Sequence, residues 1–265
     1  MKEFFGFGGY SRPAEGYLSW QHICFVTTFI IIMATLAVII GRRNSAKTDK
    51  EKNRVLIAAA IIIDSLEIIR MIIVCVRSDD PTKWMYVLPF FLCSIQLITI
   101  PLAAFSKGIV REAALDFVFV FGILGALLGT YGAGNDYSCY PIFSYDIIHT
   151  TLTHTISGFC SLYILFAKMA SMKKKNIPFG FAIVSVFCVV SYIINVIIDY
   201  NYMFLMRGDG TPYDIIYNFI ESLVGEQVSV FYPITVCLLF FLYMAAYYAV
   251  YYLVKKKVGT KKVQA

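Results

Sequence analysis

The chain has 265 residues, of which 59% are hydrophobic and only 15% charged, and its mean hydropathy is +0.70. Soluble domains carry about a quarter charged residues, so this balance excludes an ordinary soluble enzyme and indicates an all-α integral membrane protein. The net charge of +6 fits membrane topology and anionic headgroups; the sequence has no phosphate-reading loop and no basic groove, so no nucleic-acid partner is expected.

In chain order, the opening stretch MKEFFGFGGYSRPAEGYLSW has no basic run abutting its apolar segment and no small-residue cleavage site, so it does not read as a cleaved signal peptide. Apolar stretches near the roughly twenty residues needed to cross a bilayer occupy 22–40, 55–76, 84–105, 109–131, 145–167, 178–200 and 228–254. The expectation is a single polytopic domain over residues 1–265 with seven transmembrane helices, multi-pass in the cell membrane. The connectors leave no room for a soluble catalytic module. Seventeen of the 23 Lys and Arg fall in alternate segments, at 42–54, 107–111, 168–175 and 255–262. The positive-inside rule then puts the N-terminus outside and the C-terminus in the cytoplasm. Between the sixth and seventh spans, DIIYNFIESLVGE has helical spacing and predicts a short interfacial helix.

Ionisable groups inside spans are costly and are candidate site residues by default. In the second span, Asp64, Glu67 and Arg70 stand at i, i+3 and i+6. Glu67 and Arg70 form either a structural ion pair or part of a site in which Asp64 or Glu67 orients a histidine or relays a proton. The third span, WMYVLPFFLCSIQLITIPLAAF, brackets Cys93 between Pro89 and Pro101. The fifth contains HTTLTH, whose His149 and His154 lie about 140° apart around a helix. They are poorly placed to share a metal ion. His149 sits nearer the outer rim and reads as a solvated interfacial residue. Thr150 and Thr151 lie one turn behind His154, where they could fix its tautomer. Counted as helix from Trp84 and Tyr145, Cys93 and His154 both lie roughly 13 Å below the outer edge. A buried cysteine is commonly an inert small hydrophobe, and an intramembrane histidine commonly a helix-to-helix hydrogen bond. Together at one depth, they also fit a thiol nucleophile and its base.

Seven cysteines without CxxC spacing indicate neither a disulfide framework nor a zinc site. No metal or other cofactor is expected. The last span lacks a lysine for retinal, and no second histidine lies at the depth of His154 for haem.

The segments LSWQHICF (18–25), LPFFLCS (88–94), THTISGFCSLY (153–163) and NYMFL (201–205) follow one another over most of the chain. On these landmarks it resembles the YwaF-type bacterial integral membrane proteins, a group related to the transmembrane-protein-164 family of integral membrane acyltransferases. The resemblance implies acyl transfer on membrane lipids, with Cys93 as nucleophile and His154 as base. It puts Glu67 near an acidic family position and makes His22, Asn201 and Tyr202 site-lining candidates beside Asp64 and His149. Phe91 stands where the family often has His or Gln. A phospholipid or lysophospholipid would serve as acyl donor and acceptor, in a lipid acyltransferase or acyl hydrolase. Two alternatives stay open: a proton-coupled carrier with an Asp/Glu/His relay, and a non-catalytic lipid-binding protein.

Overall fold

A computed structural model describes residues 1–263, with side chains to residue 256. The side chains of Lys257, Lys261 and Lys262, counted in the charge bias, and residues 264–265 lie outside the described residues. All regular structure among the described residues is helical. The α-helices are α1 (Trp20–Asn44), α2 (Asp49–Ser78), α3 (Gln96–Phe105), α4 (Gly108–Tyr131), α5 (Gly134–Cys139), α6 (Tyr145–Phe166), α7 (Ile177–Ile198), α8 (Tyr213–Val224) and α9 (Val228–Val263). The chain divides into two compact units, one of Met1–Ser171 and one from Met172 onward.

Local chemistry sets the helix starts. Ser19 takes an extended backbone and its Oγ accepts the His22 N–H, satisfying one of the N–H groups that a helix start leaves unpaired. Thr48 and Glu51 form a reciprocal capping box at α2. Ser144 Oγ accepts the Ile147 N–H at α6.

In the first unit α6 packs along α4 and α1, and α3 packs against α2 and α4. Glycines let α4 and α6 approach closely. A Cβ built on Gly122 would stand 2.6 Å from the Ser157 carbonyl oxygen, and one on Gly158 would stand 2.6 Å from the Ala126 Cβ. Small residues bring membrane helices together in this way. The contact is reinforced by Ser161 Oγ, which donates to the Phe119 carbonyl at 2.7 Å. Two residues further along α6, Tyr163 donates to the Lys52 carbonyl and accepts from Asn44 Nδ2, linking α1, α2 and α6. In the second unit α9 packs against α7 and α8. Asn195 accepts the Tyr202 N–H at 2.7 Å and donates to the Tyr202 carbonyl at 3.0 Å. These two bonds fix a turn in which Met203 and Phe204 take positive φ.

The expected third helix over 84–105 is broken. A 3-10 turn (Lys83–Val87) leads to irregular chain at residues 88–95 before α3 begins. The cause is Pro89, which lacks an N–H and forces Leu88 out of the helical region, to φ −64 and ψ 152. Four segments among the described residues are long and apolar enough to cross a membrane: Trp20–Asn44, Gly108–Cys139, Lys174–Ile198 and Tyr213–Lys256. The remaining expected spans fall short for visible reasons. Helix α2 carries Asp64, Glu67 and Arg70, α6 carries two histidines and four threonines, and α3 has only 10 residues. The Gly-rich 132–143 connector contains the short α5, and α8 occupies the place of the expected interfacial helix.

Candidate functional site

Cys93 lies in the turn that leads into α3, its backbone bent by the Ser94 and Ile95 N–H groups, which both bond the Phe91 carbonyl. The helix therefore begins beside the thiol, with its positive end on the side that favours a thiolate. The Cys93 thiol and the His154 imidazole are close enough to interact directly, and the thiol also lies 3.9 Å from the Ser94 hydroxyl. His154 Nδ1 lies 2.6 Å from the Thr150 carbonyl oxygen. A carbonyl can only accept, so Nδ1 carries the proton and Nε2 keeps its lone pair. That tautomer can take a proton from sulfur. Both residues retain partial accessibility, whereas Cys160 and Cys188 are buried.

Of the two threonines expected to fix the tautomer, Thr150 does so, through its backbone carbonyl. The Thr150 hydroxyl instead donates to Asp136 at 3.2 Å, and that of Thr151 bonds Tyr137 and the Ile147 carbonyl. The depth estimate for Cys93 also needs correction, because it assumed continuous helix from Trp84 and the chain there is irregular.

Two glycines of α4 complete the site, and only their GALLG spacing could have signalled them. A Cβ on Gly129 would fall inside the His154 ring, against Cδ2 and Nε2; one on Gly125 would meet Cys93 Cα and Cβ at 3.6 Å, an ordinary contact.

His149 is buried, 3% exposed, and not the solvated rim residue expected. The ring packs against Tyr145, on which the N-terminal segment is anchored: the Phe4 carbonyl accepts the Tyr145 N–H at 2.8 Å, and Tyr145 packs against Phe4 and Phe5. Its Nε2 is 3.2 Å from Glu67 Oε2 without hydrogen-bond alignment, and its Nδ1 has no hydrogen-bond partner among the described residues. Glu67 also pairs with Arg70 at 3.3 Å. The carboxylate suggested as an orienter for His154 thus meets His149. Asp64 is half-buried on the same helix.

A clamp joins the end of α2 to the start of α6. Arg77 grips Asp146 with two bonds, of 2.6 and 3.0 Å, and Tyr10 donates to the same carboxylate at 2.5 Å. His22 closes α1 onto α4. Its Nδ1 accepts the Leu18 N–H, its Nε2–H donates to the Thr130 carbonyl at 3.1 Å, and its ring stacks on Tyr137. Both ring nitrogens are thus occupied by backbone groups. Asn201 and Tyr202 belong to the second unit. Asn201 bonds Arg207, Asp209 and Met206 within its own loop, and Tyr202 is fully buried. Among the described residues no group of three or more His, Cys, Asp or Glu is arranged to hold a metal ion.

Neither a curated protein nor a solved structure matches the chain. The TMEM164 family model matches residues 17–251, a stretch that includes Cys93, His154 and every other candidate named above, and the chain therefore belongs to the TMEM164 family.

Proposed function

We propose that this protein is a membrane lipid acyltransferase or acyl hydrolase that works through a Cys93 thioester with His154 as its base. One observation carries the proposal: the thiol lies beside an imidazole whose other nitrogen is committed to the Thr150 carbonyl. His154 Nε2 takes the thiol proton as sulfur attacks the ester carbonyl of a phospholipid. When the tetrahedral adduct collapses, the C–O bond breaks, and the imidazolium returns the proton to the departing alkoxide. His154 then deprotonates an acceptor hydroxyl or water, which attacks the thioester; the sulfur leaves as thiolate and recovers its proton from His154. The same residues thus serve transfer and hydrolysis, and access of water decides between them.

The protein's setting follows the charge bias: a multi-pass protein of the cell membrane crossing seven times, with the N-terminus outside. In that arrangement the third crossing is made of the Lys83–Val87 turn, irregular chain and α3. Non-helical backbone at membrane depth is tolerated where protein or a wet cavity surrounds it. Likeness to the YwaF-type bacterial proteins supports the same function.

The test is transfer or release of a labelled acyl chain from a phospholipid by the purified protein in vesicles, with a lysophospholipid as acceptor. Both products should vanish with Cys93→Ala and with His154→Ala; turnover that survives either change rules the mechanism out. The Arg70, Glu67 and His149 line on α2 and α6 favours one competitor, a proton-coupled carrier. Uptake driven by a pH gradient, lost in Glu67→Gln and intact in Cys93→Ala, would establish that function instead.

A further inference from the structure

At the opposite end of the first unit from the Arg77–Asp146 clamp, the start of α2 and the turn between α3 and α4 line an open cavity of about 310 Å³. Three cations from two separate elements converge on it: Lys50 from α2, and Lys107 and Arg111 from the α3–α4 turn and the first turn of α4. Asp49 is the one carboxylate in the lining. The site is built as well as charged. Asn53 Nδ2 donates to the Ala104 carbonyl at 2.6 Å, and its Oδ1 accepts from Arg111 Nη2 at 3.5 Å. One amide therefore joins α2 to the end of α3 and steadies the guanidinium while occupying only one of its donors.

The start of α4 adds donors of a second kind. Lys107, at the N-cap, makes no side-chain capping bond. Gly108 has φ +60, and a Cβ built on it would meet nothing within 4 Å. The first N–H groups of a 24-residue helix thus open toward the cavity without a side-chain cap, and such a helix start favours an anion. Charges that merely satisfy the positive-inside rule need only lie on one side of the membrane. Here they share a cavity with a steadied arginine and an uncapped helix start.

We propose that this cavity binds a phosphate group, carried on a lipid headgroup or as the free anion. Arg111 and Lys107 supply charge-assisted hydrogen bonds, Lys50 closes the site from α2, and the α4 N–H groups complete the coordination. The charge bias puts this end at the cytoplasmic face, where anionic headgroups are abundant. The site is independent of Cys93 and would stand if the acyl-transfer mechanism failed.

The test is calorimetric titration of the full-length protein in uncharged maltoside micelles with inorganic phosphate, dioctanoyl phosphatidic acid and, as a phosphate-free control, dioctanoylglycerol. Saturable binding of one or both phosphate compounds is expected. It should weaken at least about tenfold in Lys107→Gln/Arg111→Gln, since a bond to a charged group contributes about 1.5–3 kcal/mol, and survive in Lys107→Arg and Cys93→Ala. Binding of phosphatidic acid that inorganic phosphate cannot displace would identify the ligand as a headgroup. Displacement by inorganic phosphate would identify the phosphate group as sufficient. Absence of saturable binding by either compound, or binding equal in the wild type and the double variant, would overturn the proposal.

Discussion

Gly129→Ala places one methyl group where the His154 ring stands. Carbon atoms in contact settle about 3.5–4.0 Å apart, so the imidazole must retreat by more than about 1 Å. Overpacking of this kind costs about 1–3 kcal/mol, partly offset by the roughly 1 kcal/mol that alanine gains over glycine in a helix. The net loss of about 0–2 kcal/mol leaves the protein folded, with a thermal midpoint lowered by at most several degrees. Chemistry should suffer far more. A ring moved that far loses its alignment with the Thr150 carbonyl and the Cys93 thiol, and misplacement by about 1 Å can cost a hundredfold in rate. Gly125→Ala is the matched control, because its methyl meets Cys93 at the ordinary distance of 3.6 Å. The assay is the rate of Cys93 labelling by an acyl-reactive thiol probe, followed by mass spectrometry of the cysteine-containing peptide. Labelling should fall about a hundredfold in Gly129→Ala and stay within a few-fold of wild type in Gly125→Ala. Equal rates in the two variants would refute this account of how α4 seats the pair.

Glu67→Gln should leave Cys93 labelling within a few-fold of wild type, because the carboxylate faces His149 and Arg70, while lowering the thermal midpoint through the arginine left without its anion; a hundredfold loss of labelling would show that Glu67 acts on His154. Asn195→Ala removes its bonds to the Tyr202 N–H and carbonyl, the carbonyl keeping the Leu205 N–H; at about 1 kcal/mol per bond, a fall of a few degrees in midpoint is expected and an unchanged midpoint would contradict it. Tyr10 lies outside the spans, and burial first, then the hydrogen bond to the Asp146 carboxylate, push its hydroxyl above the usual phenol range. A group whose titration is raised by folding stabilises fully below its unfolded pKa of about 10 and loses that contribution as pH climbs further. The thermal midpoint should thus drop between pH 9 and 11 by more in the wild type than in Tyr10→Phe, and equal drops would argue against the clamp.

The sequence made the helical, membrane-embedded character legible, because apolar runs and sparse charge report burial directly. The helix starts at Ser19, Thr48 and Ser144 depend on local chemistry of the same readable kind. The 140° separation of His149 and His154 also carried information: one ring meets Glu67 and the other Cys93. Depth counting for Cys93 failed for a local reason, the effect of Pro89 on Leu88, although the thiol still meets His154. Other features depended on contacts between distant segments. The burial of His149 depends on the packing of α2 and Tyr145 around it, and the role of Gly129 requires the close α4–α6 approach that Gly122 and Gly158 permit. The partner of Glu67 depends on how α2 is rotated against α6, which the spacing of Glu67 and Arg70 leaves undetermined.

The central claim is that one sulfur carries the acyl group and one imidazole makes it reactive. Trapping the protein with a slowly hydrolysed phospholipid analogue and weighing its peptides tests this most directly. An acyl mass should appear on the Cys93 peptide and disappear in His154→Ala, while exposed Cys24 and Cys139 stay unmodified. Acylation spread over several cysteines, or undiminished at Cys93 without His154, would contradict it.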